Sequence, residues 1–279
     1  MFAHALYIAP FKDTFWTTTV QPGSPYGLAT EPNTALQSAI STLSTGPVGP
    51  SDAVGKTDIK NLMKCCRADG LILKPSRPIT STDETILKHA FPNMKGAANT
   101  NAQVYTSYSD IKVFSSTEQF MLRFGIALAT ELSTTSYSIL PSTMYLDTVN
   151  METKMYKAFQ GHPGTDSKIY DVPATGALSI PTCGLKDFQL WYLSPVISIG
   201  DSTTAVIFGE REKWVPVSNQ RIKSVDIKGG NLLIDIQGRP AEVVTMDFLM
   251  NTTMVSVSCK LPDSGSSRLS VNSKTCHGI

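Results

Sequence analysis

The hydrophobic period of this chain changes near residue 80, and that change constrains the fold more than any other feature of the sequence. Before it, Ala35, Leu36, Ala39, Ile40 and Leu43 recur at the spacing of one buried helical stripe, with Gln37, Ser38, Ser41 and Thr42 on the other face. Thr30-Glu31-Pro32 supplies a start signal, Thr or Glu as cap and Pro at the first helical position, and Gly46-Pro47 supplies the stop. The apolar stretch at 4–9 reads as a buried strand and Val48 as the centre of a very short one ended by Ser51-Asp52. Thr57 then caps a second predicted helix with Ile59, Leu62, Met63 and Cys66 on its apolar face, closed by Asp69-Gly70. Strand, helix, strand, helix is the alternation of a parallel α/β sheet or barrel.

Beyond residue 80 the period is two. Residues 103–113, 188–193, 204–208, 221–227, 231–236 and 242–249 read as strands, separated by Gly200-Asp201, Lys228-Gly229-Gly230-Asn231 and Gly238-Arg239-Pro240. The Gly-Gly turn between Ser224-Val225-Asp226-Ile227 and Asn231-Leu232-Leu233-Ile234 marks a two-residue hairpin. These strands predict an antiparallel β-sandwich over 102–279, preceded by a linker at 81–101 that begins near Arg77, and by a different unit over 1–80.

Composition removes several function classes. Lys plus Arg number 24 against 23 Asp plus Glu, so there is no basic surplus to follow a phosphate backbone and no nucleic-acid partner is expected. No apolar run approaches the roughly 20 residues that span a bilayer, so no membrane partner is expected from these segments. The apolar opening lacks the basic region and small-residue cleavage site of a signal peptide. A chain that opens inside a core strand is expected to be truncated upstream. Its compartment stays open, extracellular or lysosome-like if a missing N-terminus carries the signal. Five cysteines, Cys65 and Cys66 adjacent, form neither an even disulfide framework nor a C-x-x-C pattern, which predicts mostly free thiols. His4, His89, His162 and His277 share no ligand spacing, and no cofactor or metal is expected. Asn251-Thr252-Thr253 is a glycosylation sequon of low information by itself.

The segment Gly49-Pro50-Ser51-Asp52-Ala53-Val54-Gly55-Lys56-Thr57 invites comparison with a phosphate-binding loop and fails it. Five residues, not four, separate the glycines, Pro50 removes a backbone N–H, and Asp52 adds negative charge where an anion would sit.

The same residues fit another pattern. Leu6-Tyr7-Ile8-Ala9-Pro10, Asp13-Thr14-Phe15, Ile40-Ser41-Thr42-Leu43-Ser44, Gly46-Pro47-Val48, Ser51-Asp52, Gly55, Asp58, Leu62 and Asp69-Gly70-Leu71-Ile72-Leu73-Lys74 stand in this order. Over about the first 80 residues the chain resembles the α-galactosidase-like glycoside hydrolases, in particular the melibiase and raffinose-synthase group. The resemblance implies an α+β chain: the last two β/α units of a (β/α)8 TIM barrel followed by an antiparallel β-sandwich. It implies a carbohydrate partner, α-linked sugars as substrates, and a retaining parent enzyme whose two catalytic aspartates precede the first strand of this chain. The isolated chain is then expected to supply pocket wall and β domain, with no catalytic residue and no turnover of its own. The alternative is a non-catalytic carbohydrate-binding or structural interaction module.

Two departures from the family pattern bear on the pocket. Lys12 replaces a tryptophan and Gly49-Pro50 replaces Tyr-Val, leaving Phe15 or Trp16 to provide a stacking surface. On this reading Asp13 and Asp52 follow the ends of adjacent barrel strands and accept hydrogen bonds from sugar hydroxyls, while Trp16 stacks on a pyranose ring. The competing roles are helix capping or loop fixing for the two aspartates and core packing for Trp16. Glu210 and Glu212 beside Trp214 read as a solvated surface pair, and Tyr105, Tyr108, Trp191 and Tyr192 as the few surface aromatics of the β domain.

Overall fold

A computed structural model describes residues 5–6, 8–23, 27–91, 103–116, 118–133, 136–164, 168–200 and 202–279. Strands dominate them. The largest sheet runs in the order β16 (Thr275–Gly278), β15 (Ser266–Ser270), β12 (Asn231–Gln237), β11 (Ile222–Lys228), β2 (Gln103–Phe114), β3 (Gln119–Thr130), β8 (Phe188–Pro195), β5 (Met155–His162) and β6 (Ile169–Pro173), with β1 (Thr80–Ser81) also paired to β2. A second sheet is ordered β14 (Thr253–Lys260), β13 (Val243–Met250), β10 (Thr204–Gly209) and β9 (Ile197–Ser198). β4 (Tyr137–Ile139) and β7 (Leu178–Ile180) form a separate pair. The α-helices among the described residues are α1 (Thr34–Leu43), α2 (Ile59–Leu62) and α3 (Asp83–Ala90), and no described helix is long and apolar enough to cross a membrane.

Alternation explains how these sheets share their cores. In β8, Phe188, Leu190 and Tyr192 point to one side and Trp191 and Leu193 to the other, and all are buried because both faces of the strand are covered. On β3, Leu122 and Phe124 enter the core between the two main sheets, while Ile126 and Leu128, farther along the same face, enter a core shared with Ala39, Leu43 and Cys65 of the N-terminal segment. β10 joins the two regions, turning Ala205 and Ile207 to the sandwich and Val206 and Phe208 to the N-terminal segment. The predicted hairpin forms between β11 and β12, with Lys228 paired to Asn231 and with Gly229 and Gly230 both at positive φ, as a two-residue turn of this hand requires.

The TIM-barrel expectation is overturned: no β/α units are present in the described part of residues 1–80. Residues 5–6 and 8–10 belong to no strand, and residues 4 and 7 of the expected first strand lie outside the described set. Val48 forms no strand either; the described remnant of parallel pairing is a single bridge between Phe15 and Pro50. The second predicted helix is one turn, capped by Asp58 through the Asn61 N–H (3.0 Å) and not by Thr57. It stops because the backbone beyond it is claimed by the β region. Lys213 Nζ donates to the carbonyls of Met63 and Cys66 (both 2.7 Å), and Trp214 N–H donates to that of Lys64 (3.0 Å). Ile59 is left 68% exposed, so the apolar stripe read across 59–66 is not a buried helical face. α1 forms where predicted but starts at Thr34, behind Asn33, so Thr30, Glu31 and Pro32 stay outside it.

Two further expectations change. The sandwich is not purely antiparallel, since Val225 of β11 pairs in parallel with Val113 of β2. The expected linker contains β1 and α3, its residues 92–101 lying outside the described set. Of the five cysteines, expected to be mostly free, Cys65, Cys66 and Cys183 are free thiols, while Cys259 of β14 and Cys276 of β16 form a disulfide joining the two main sheets, with Cα atoms 5.6 Å apart.

Candidate functional site

The N-terminal segment holds its extended pieces side by side at close quarters. A Cβ on Gly46 would lie 2.3 Å from the Pro10 carbonyl oxygen, so only glycine lets these backbones approach. Phe15 N–H donates to Gly49 O (3.2 Å) and Ser51 N–H to Phe15 O (2.8 Å), which aligns the residues that follow each piece. Beyond that alignment an open cleft of about 530 Å³ is lined by Asp13, Thr14, Phe15, Trp16, Gln21, Pro22, Gly23, Ala29, Thr30, Glu31, Ser51, Asp52 and Ala53. The three site residues expected from the sequence, Asp13, Trp16 and Asp52, therefore line one cleft.

Their roles differ. Asp52 is the hub of the loop structure. Its Oδ1 accepts from Thr17 N–H (2.7 Å) and Gln21 Nε2 (2.8 Å), and its Oδ2 accepts from the Thr17 hydroxyl (2.7 Å). Thr17 Oγ1 also accepts from Asp58 N–H (2.7 Å), Gln21 Oε1 accepts from Ala53 N–H (2.8 Å), and Gln21 Nε2 reaches Thr18 Oγ1 (2.6 Å). Thr17 and Gln21 are buried, so these bonds fix the floor of the cleft where water does not compete. Loop fixing is thus the larger part of what Asp52 does, with one Oδ2 lone pair left to serve a ligand. Asp13 is exposed and uses Oδ1 to cap its own turn at Thr14 N–H (2.7 Å), leaving the other oxygen at the mouth. Trp16 is half-buried at the same mouth, while Phe15 is core.

Glu31 also lines the cleft. Its Oε1 accepts from Gln37 Nε2 (3.3 Å) and Asn33 N–H (3.4 Å), and its backbone N–H donates to Thr19 O (2.9 Å). The cap pattern Thr30-Glu31-Pro32 concealed this role, and nothing in the local sequence ties Gln21 to Asp52, 31 residues away. Together the lining offers carboxylate and hydroxyl groups plus one indole face, the chemistry that binds a polyol with an apolar C–H face. Of the three carboxylates in the lining, Asp52 is held by three protein donors, while Asp13 and Glu31 each accept from backbone N–H groups nearby. Among the described residues no group of His, Cys, Asp or Glu is arranged to hold a metal ion.

The other positions singled out in the sequence are structural. Glu210 is buried and held by Arg221, with Arg221 Nε to Glu210 Oε1 at 2.6 Å, whereas Glu212 stays exposed, so the two are not a surface pair. Trp191 and Tyr192 are core residues, the Tyr192 hydroxyl donating to Trp214 O (2.8 Å). Tyr108 lies under the Arg123 guanidinium, 3.6 Å from its ring centroid, and Tyr105 donates to Gln103 Oε1 (2.9 Å). No family model matches the chain, and no curated protein matches its sequence.

Proposed function

We propose that this chain binds carbohydrate at the Asp13–Trp16–Asp52 cleft without cleaving it. The observation that carries the reading is the pairing of a half-buried indole with carboxylate and hydroxyl groups on a floor fixed by the Asp52–Thr17–Gln21 network. Stacking of Trp16 on a sugar ring supplies the apolar contact, and Asp13, Glu31 and Ser51 supply orientation. Calorimetric titration of the whole chain with α-galactosides and α-glucosides tests it. Binding at millimolar affinity or tighter is expected, and Trp16→Ala should weaken it about tenfold, roughly 1.4 kcal/mol, in variant protein that remains folded. Absence of binding across a glycan array, or an unchanged affinity in the variant, sinks the proposal.

A further inference from the structure

The sequon at 251–253 takes on meaning from where the fold places it. Asn251 and Thr252 are the two connecting residues of the β13–β14 hairpin, since Met250 pairs with Thr253, and residues 251–253 are all exposed. Asn251 adopts φ +52°, a conformation that asparagine tolerates better than other residues with a Cβ. Its amide is oriented by Thr204 of the neighbouring strand: Oδ1 accepts from Thr204 N–H (2.8 Å) and from the Thr204 hydroxyl (3.3 Å), and the Asn251 N–H donates to Thr204 O (2.8 Å). Among the described residues the side chain bonds only through Oδ1, so no hydrogen bond of the fold uses Nδ2 of this exposed residue. A substituent on Nδ2 leaves all three bonds intact.

A second, independent observation concerns the compartment. The Cys259–Cys276 disulfide ties β14, the second strand of this same hairpin, to the edge of the other sheet, and such bonds form and persist where thiols are oxidised. The remaining cysteines of the described residues, Cys65, Cys66 and Cys183, are all buried, so none is an exposed thiol open to wrong pairing. The compartment that forms structural disulfides in eukaryotic secretion is also the one that glycosylates Asn-X-Thr.

We infer that Asn251 is an N-glycosylation site whose glycan projects from the tip of the β13–β14 hairpin. The donor is an oligosaccharide carried on a lipid pyrophosphate. Nδ2 attacks the anomeric carbon, a C–N bond forms, and the bond from that carbon to the pyrophosphate oxygen breaks, its electron pair leaving with the lipid pyrophosphate. The amide proton passes to a base of the transferring enzyme, which reads the Thr253 hydroxyl.

The test is the whole chain secreted from eukaryotic cells, analysed by mass spectrometry before and after a peptide amidase that removes N-glycans. The amidase should shift the chain to lower mass and convert residue 251 from Asn to Asp. Thr253→Ala, which leaves every Asn251 contact in place, should lose the modification, and Thr253→Ser should retain it. An unmodified Asn251 in secreted material, or free thiols at Cys259 and Cys276 in that material, overturns the inference.

Discussion

Replacing Arg221 with methionine removes the centre of the most deeply buried charge cluster among the described residues. Arg221 is 0% exposed and bonds both carboxylates around it: Nε and Nη2 to Glu210 (2.6 and 3.3 Å), Nη2 and Nη1 to Glu242 (2.6 and 3.2 Å), with Nη1 also on the Gln237 carbonyl (2.8 Å). Methionine has similar bulk but leaves the two carboxyl groups without the cation they share, with Lys213 acting on Glu210 alone. Breaking a buried pair by removing one partner costs about 3–5 kcal/mol. At about 2–4 °C per kcal/mol for a chain of this size, the melting temperature should fall by roughly 6–20 °C. The effect should extend to the N-terminal segment, because Glu242 also accepts from Ala68 N–H (3.1 Å) and Ser218, next to this cluster, donates to Lys74 O (2.8 Å). Burial works to raise the Glu242 carboxyl, but hydrogen bonds and charge from Arg221, with the Arg239 and Ala68 N–H groups, hold it below its ordinary value. Its contribution is therefore present above the unfolded pKa and lost as pH falls through the folded one. Burial pushes Glu210 up, so it acts with the opposite sign, costing stability as pH rises through its folded pKa. In Arg221→Met both carboxyls lack their cation and are pushed up, so the gap between parent and variant should narrow as pH falls toward about 4. Thermal and urea unfolding across pH measure this, and Arg221→Met/Glu210→Gln/Glu242→Gln should recover a large share of the loss. A loss below about 1 kcal/mol at neutral pH, or a gap that widens on acidification, would refute the reasoning.

Opening the Cys259–Cys276 disulfide, by reductant or by the double serine variant, releases a loop closed over a separation of 17 residues and should cost about 3 kcal/mol in urea unfolding; a midpoint indifferent to reductant contradicts the constraint. Asp52→Asn keeps one acceptor but puts an amide nitrogen against the buried Thr17–Gln21 network, which should cost about 1–3 kcal/mol and weaken sugar binding along with the melting temperature; a variant unchanged in both would show that the network does not hold the cleft.

Strand segments and the β11–β12 hairpin were legible in the sequence because their causes are local: alternation decides which side chains are buried, and Gly229-Gly230 supplies the positive φ values of a two-residue turn. The site was legible in part. Asp13, Trp16 and Asp52 do line one cleft, yet the loop residues that fix it, Thr17 and Gln21, carry no local signal because their partner Asp52 is distant in the chain. What only the tertiary structure decided rests on groups far apart in sequence. An apolar stripe at 59–66 has the helical period, but the side chain of Lys213 and the backbone of Trp214 take the carbonyls that a longer helix would use. Glu210 has the spacing of a solvated carboxylate and is buried because Arg221 arrives beside it. Cysteine count cannot name a pair that forms only once two sheets stack, and alternation cannot say that Val113 will lie parallel to Val225, since period fixes the face a residue occupies and not the strand it meets.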